Sequence, residues 1–169
     1  MRRSRRLRLV DLPRLVLQAL MEVAGLFGGR YRRTEGAHVL VRDEQGRILV
    51  VRTTYLGPGW MLPGGRVERS ETPHAAAWRE TREETGIEVR VEQLLLVDAH
   101  RRSNVSFVYS ATAVGGELAP QFGEIAEVGW LAREEIAETS WRLDRLLTYL
   151  DEANGEVAYI GLGAPRIEA

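Results

Sequence analysis

The chain has no cysteine, so disulfide staples and thiolate metal sites are excluded. It has no lysine either: all 23 basic residues are arginine, as a GC-rich genome, or a warm one, would produce. No stretch is long and apolar enough to span a bilayer. There is no internal repeat and no low-complexity tract. The three histidines, His38, His74 and His100, are scattered and read as structural or exposed residues. What remains is 169 residues, the size of one domain able to bury a core.

The net charge of −1 hides an asymmetry. Residues 1–34 carry nine arginines against Asp11 and Glu22, whereas the rest of the chain is acidic. The chain therefore divides into a basic extension over 1–34 and a domain over 35–169. LPRLVLQALMEVAGLF predicts a helix from near Pro13, apolar over most of its surface. The first expectation is that it docks on the domain or on a second copy in a homodimer. An anionic membrane surface or a nucleic acid are the alternative partners for so basic a segment. Ser4-Arg5-Arg6 has the look of an export signal. Asp11, Pro13 and Glu22 interrupt the apolar stretch, however, and no small-residue cleavage site follows. The expected location is cytoplasmic.

Beyond Thr34, AHVLVRD and RILVVRTTY flank the turn Glu44-Gln45-Gly46 and predict a hairpin. EVRVEQLLLVD, SNVSFVYSATAV and EIAEVGWL read as further strands, and Arg133 to Glu138 as a helical turn. RLDRLLTYLDEA places Leu143, Leu146, Leu147 and Leu150 at helical spacing. The class is α/β.

The most informative stretch is Gly65 to Ile87, GRVERSETPHAAAWRETREETGI. Thr72-Pro73 is a helix start, because Thr caps free N–H groups and Pro suits the first position. Gly86 permits a left-handed exit. On the helix between, Glu80, Glu83 and Glu84 stand at i, i+3 and i+4, on one face. Three like charges repel, and Arg79 and Arg82 offset only part of that. A hard cation such as Mg²⁺ or Mn²⁺ would turn the repulsion into ligation. His74, Ala77, Trp78, Thr81 and Thr85 form the stripe expected to pack on the sheet.

Gly65, Glu71, Arg79, Glu80, Glu83, Glu84 and Gly86 read G-x5-E-x7-R-E-x-x-E-E-x-G, and together they resemble the signature of the Nudix hydrolases. WMLPGG before the motif resembles the usual lead-in. A chance match in one window has odds on the order of one in 10⁸. The resemblance implies an α/β/α sandwich with a mixed sheet, and hydrolysis of a nucleoside diphosphate linked to another group with Mg²⁺ or Mn²⁺. It makes Glu83 and Glu84 the main metal ligands, Glu80 a further ligand or the general base, and the Gly64 carbonyl another ligand. Arg79 orients the carboxylates with Glu71 as its partner. A loop acid before Trp130, Glu124 ahead of Glu127, joins the site. Thr81 departs from the family's usual aliphatic residue and reads as a packing variation.

Substrate contacts are less sharply marked. Gly65 lets backbone approach phosphate. Arg52, Arg101 and Arg102 are candidate phosphate donors, and Trp60, Phe107 and Tyr109 candidate base platforms. Subgroup markers downstream of Ile87 are missing: Arg102 stands where the ADP-ribose group tends to carry Pro, and Ser103-Asn104-Val105 lacks the dinucleoside polyphosphate Tyr. A nucleoside triphosphate or nucleotide sugar is the leading expectation. A ligand-sensing module without turnover and an adaptor acting through residues 1–34 are the alternatives. The isoprenoid diphosphate isomerases of this fold need a Cys, which is lacking.

Overall fold

The computed structural model of the protein describes residues 34–101 and 104–161. The extension expected over 1–34 lies, but for Thr34, outside the described residues, as do Arg102 and the side chain of Arg101. The elements run β1 (Thr34–Val41), β2 (Ile48–Thr53), β3 (Gly64–Arg66), α1 (Pro73–Thr85), β4 (Ile87–Arg101), β5 (Asn104–Gly116), β6 (Ile125–Leu131), α2 (Arg133–Thr139), α3 (Trp141–Glu152) and β7 (Ala158–Gly161).

A five-stranded sheet runs β3-β1-β5-β4-β7, and β2 pairs with β6 in a second, two-stranded sheet. In the larger sheet β1 is parallel to β5 and β4 to β7, while β1–β3 and β4–β5 are antiparallel. The sheet is therefore mixed. Strand alternation sends successive side chains to opposite faces, and here each face meets helix. Ala37, Val39, Val89, Val91 and Ala111 pack with Ala76 and Ala77 of α1. Leu40, Leu96 and Val108 pack with Ile136 of α2 and Leu143 and Leu147 of α3. This is the sandwich expected. In β2, Leu49 joins the first cluster and Ile48 and Val50 the second. Burial on both sides explains why that strand reads as an apolar run instead of an alternating one.

The hairpin expected between β1 and β2 needs correction. Its turn closes, with Gly46 N–H on the Asp43 carbonyl and Asp43 N–H on that of Arg47, but a single bridge, Arg42 to Ile48, is all that follows. Past it the two strands diverge into separate sheets. Neither is an edge partner for the other, because β1 already has β3 and β5 on its two sides.

Helix α1 begins and ends on the residues that sequence chemistry selects. Thr72 Oγ1 accepts the Ala75 N–H at 3.2 Å, Pro73 is the first helical residue, and Gly86 leaves at φ 76° with its N–H on the Arg82 carbonyl. The packed face of the helix is narrower than the stripe predicted. Ala76, Ala77, Thr81 and Thr85 are buried, whereas His74 and Trp78 are exposed at its margin. Thr81 satisfies its hydroxyl by donating to the Ala77 carbonyl at 2.7 Å, so a polar residue is accommodated under the helix without an orphaned group.

Candidate active site

The motif converges where β3 meets α1. Arg79 is the hub. Its Nε donates to Glu71 Oε2 at 3.1 Å and its Nη2 to Glu71 Oε1 at 2.6 Å, a bidentate fork. Nη2 also reaches the Arg66 carbonyl at 3.1 Å. Nη1 contacts Glu80 at 2.9 Å and Glu83 at 3.0 Å. The partnership of Arg79 with Glu71 thus stands in the geometry. The paired guanidinium holds the Glu71 carboxyl below the usual carboxylate range.

Arg79→Lys keeps the charge and loses the fork, so it should cost about 1–3 kcal/mol of stability at neutral pH. The pH dependence has a definite sign. A carboxyl whose folded pKa is depressed contributes stability above its unfolded pKa and loses it as pH falls. The difference between parent and variant in thermal melts should therefore shrink below about pH 4. A difference that persists undiminished into acid would mean that the fork is not its source.

Glu84 is buried, with Oε2 accepting the Gly64 N–H at 2.8 Å. Burial pushes its carboxyl up to about 7, Glu80, Glu124 and Glu83 push the same way, and the Gly64 N–H opposes them. Burial also raises Glu80, against the pull of Arg79. Among the described residues, neither Glu84 nor Glu124 has an ion-pair partner. Glu124 acts on Glu84, while Glu127 pairs across the β2–β6 ladder with Arg52.

Two glycines make the cluster possible. Gly64 has φ 145°, and a Cβ there would overlap the Ala37 carbonyl oxygen and come within 2.5 Å of His38 Cα. At Gly65 a Cβ would fall 2.5 Å from the Glu80 carboxyl carbon, so the absent side chain is the space Glu80 occupies. Among the described residues, no three acidic or histidine side chains are gathered into a metal-ligating group; Glu83 is turned to Arg79. The donor set nevertheless fits a hard divalent cation, because the charge of Glu84, Glu80 and Glu124 exceeds what Arg79 can offset.

Next to the cluster lies a cavity of about 610 Å³, lined among others by His38, Leu56, Trp60, Asp98, Ser106 and Trp141. It sits on the α3 face of the sheet, and His38, whose Nδ1 is close to Gly64, joins it to the carboxylates. Burial lowers the pKa of the His38 ring against a hydrogen bond with the Leu62 backbone. Arg52 lies 5.3 Å from the Trp60 ring centroid, so this expected phosphate donor stands behind the cavity wall, held by Trp60 and Glu127.

Tyr109 and Phe107 fall elsewhere. Both point from β5 to the α1 face, Tyr109 meeting His74 edge-on at 5.8 Å, and neither lines the cavity. The missed lining residues, Asp98, Ser106 and Trp141, come from β4, β5 and the start of α3. No local pattern joins them; only the pairing of Asp98 with Ser106 and the docking of α3 do.

Comparison with known proteins bears on the family and the fold. The NUDIX domain profile matches residues 32–150. A MutT-like protein of Streptomyces ambofaciens is 39% identical over 124 residues, covering 72% of this chain and 79% of its own. A CMP-5'-(N-acetyl-N-hydroxy-3-aminopropyl)phosphonate hydrolase of Streptomyces rubellomurinus is 35% identical over 146 residues, 80% of this chain and 68% of its own. The crystal structure of an ADP-ribose pyrophosphatase from Streptococcus suis superposes with a TM-score of 0.63 at 19% identity, covering 75% of this chain and 98% of that one.

Proposed function

The chain belongs to the NUDIX family and is a Nudix hydrolase, and from that premise we propose that it cleaves a phosphoanhydride bond of a nucleoside diphosphate joined to another group, using Mg²⁺ or Mn²⁺. The observation that supports this reading is the gathering of carboxylates around Glu84, which is buried and among the described residues has no ion-pair partner, beside a cavity of nucleoside size. Glu84, Glu80, Glu83 and the Gly64 carbonyl would hold the metal, with Glu124 as a further acid. When bound, a divalent ion neutralises phosphate charge and lowers the pKa of an attacking water.

The protein's own groups do the rest. Arg79 fixes the direction of Glu80 and Glu83 through its Nη1 contacts. Glu80, whose carboxyl burial raises against the pull of Arg79, is the alternative choice as the base that takes a proton from water. Gly65, expected to admit phosphate, instead leaves the space in which the Glu80 carboxyl sits against β3. The cavity beyond His38 accepts the nucleoside, with Trp60 as the stacking wall and Arg52 lending positive charge behind it. The location is proposed to be cytoplasmic; among the described residues no helix is long and apolar enough to cross a membrane.

The test is phosphate and pyrophosphate release from a panel of nucleoside triphosphates, nucleotide sugars and dinucleotides, with Mg²⁺, with Mn²⁺ and with chelator. Turnover that disappears on chelation and returns with metal is the expected outcome. Ligand-dependent thermal stabilisation without turnover of any member would replace the hydrolase by a sensor.

A further inference from the structure

On the sheet side of the nucleoside cavity, Leu96 and Val108 are apolar, but His38, Ser106 and Asp98 set three polar side chains among them. They come from three neighbouring strands, β1, β5 and β4. The helix side adds Arg142, whose guanidinium lies over the Trp141 ring at 5.4 Å. Asp98 is the residue that the mechanism above leaves without a task. Aspartate is a poor strand former, and this face of the sheet is the one that α2 and α3 cover. Its neighbours there, Leu96 along β4 and Ile160 opposite in β7, both belong to the apolar packing beneath those helices. A carboxylate in such a place costs desolvation unless polar groups meet it.

The strand register shows what lies beside it. Ser106 is directly opposite Asp98 in the β4–β5 ladder, and Gly36 is directly opposite Ser106 between β1 and β5. Gly36 has no side chain to fill the end of that row. A Cβ there would lie 3.3 Å from Ser106 Oγ and 3.5 Å from His38 Nε2, so the two groups border one small space. On its other side the His38 ring has Nδ1 next to Gly64. A polar strip therefore runs from Gly64, whose N–H holds Glu84, through His38 and Ser106 to Asp98. Its far end is three strand spacings from β3, about 14 Å. Asp98 also has an interaction within the protein, and a carboxylate, with about four acceptor positions, has room for another.

We propose that Asp98 determines specificity for the base: its carboxylate accepts a hydrogen bond from an exocyclic amino group, so a ring bearing that group is preferred to the same ring without it. This rests on the hydrolase reading and narrows its substrate. With the diphosphate at the carboxylate cluster, the strip meets the substrate in order. His38 and Ser106 face the sugar, and Asp98, the most distant, faces the base. A base lying flat on Trp60 turns its edge to the sheet. An amino group on that edge donates to the carboxylate, whereas a carbonyl in its place sets two acceptors against each other.

The experiment uses compounds that differ at one amino group, cytidine against uridine and guanosine against inosine. They are compared as triphosphates in steady-state kinetics with Mg²⁺, and as monophosphates in equilibrium binding. In the parent, the amino-bearing member of at least one pair should have kcat/KM roughly tenfold or more above its partner, and a Kd lower by a similar factor. The pair that discriminates names the ring. Asp98→Asn offers an amide, which can turn either its carbonyl or its NH₂ to the base. It should bring that ratio close to one, chiefly by improving the compound without the amino group. Asp98→Ser gives the same readout should the amide variant fail to fold. Parent ratios near one in both pairs would overturn the assignment. So would an Asp98→Asn protein that weakens both members equally, the result expected of a ribose contact or of a purely structural acid. Monophosphates have no phosphoanhydride bond, so their binding is read with or without turnover. Discrimination in binding with no turnover of any compound in the wider panel would leave Asp98 in this role and sink the hydrolase reading instead.

Discussion

Glu84→Gln lowers kcat by a factor on the order of 10² or more and leaves the fold intact. The amide has the shape of the carboxylate, and its oxygen can go on accepting the Gly64 N–H. What it loses is the charge that a divalent cation would meet. The same substitution has a second, opposite signature in stability. Burial pushes the Glu84 carboxyl up to about 7, so the folded metal-free protein holds a proton there that the unfolded chain has already lost. Such a group costs stability as pH rises through the interval between its unfolded and folded pKa values. In chelator, then, parent and variant should melt alike near pH 4, and the variant should melt higher at pH 8. Steady-state kinetics and melting curves across pH check both halves. Unchanged kcat would remove Glu84 from the metal site, and a variant that melts lower at pH 8 would contradict the cost assigned to the buried charge.

Gly64→Ala should destabilise the protein by about 3 kcal/mol or more, measured as a lowered denaturant midpoint with an unchanged slope. Two penalties coincide at this position. The backbone stands at φ 145°, and the new methyl would overlap the Ala37 carbonyl and crowd His38. Gly46 provides the comparison, because its φ is also positive, at 77°, yet a Cβ there meets nothing within 4 Å. Gly46→Ala should cost only about 1 kcal/mol. If both variants fell equally, conformation alone would explain the loss and the close approach of β3 to β1 would count for nothing. Any Gly64→Ala protein that survives should also lose kcat, because displacing β3 takes the N–H away from Glu84.

The site was legible in the sequence to the extent that it is local. Glu80, Glu83 and Glu84 share a helix face because of helical spacing, and Thr72, Pro73 and Gly86 mark its ends. Glu71 lies close enough along the chain for its pairing with Arg79 to be anticipated from the motif. The non-local part was not legible. Nothing in β1 and β2 announces that they part after one bridge, since that depends on β3 and β5 occupying both flanks of β1. Tyr109 looked like a base platform because an aromatic in a strand has no marked face until its partners are known. Its register opposite Val39 in β1 assigns it to the side of α1. Trp141 and Asp98 carry no sequence signal at all: a docked helix brings the one to the cavity and a sheet pairing the other.

The parallel pairing of β1 with β5 has a consequence for how the molecule comes into being. Thr34 and Asn104, which face each other at its start, are 70 residues apart, and every carboxylate of the motif lies inside the loop that this pairing closes. Closing such a loop costs entropy before contacts repay it, and long-range pairing is slow for that reason. During synthesis β3 and α1 leave the ribosome well before the strand that completes their platform. Until β5 emerges, β1 lacks its longest neighbour and the underside of α1 lacks much of its floor. A nascent chain arrested ahead of residue 104 would therefore carry the whole motif but, of the five-stranded sheet, only β1, β3 and β4 without the strand that joins β1 to β4, with the apolar faces of β1 and β2 open to chaperones or to other chains.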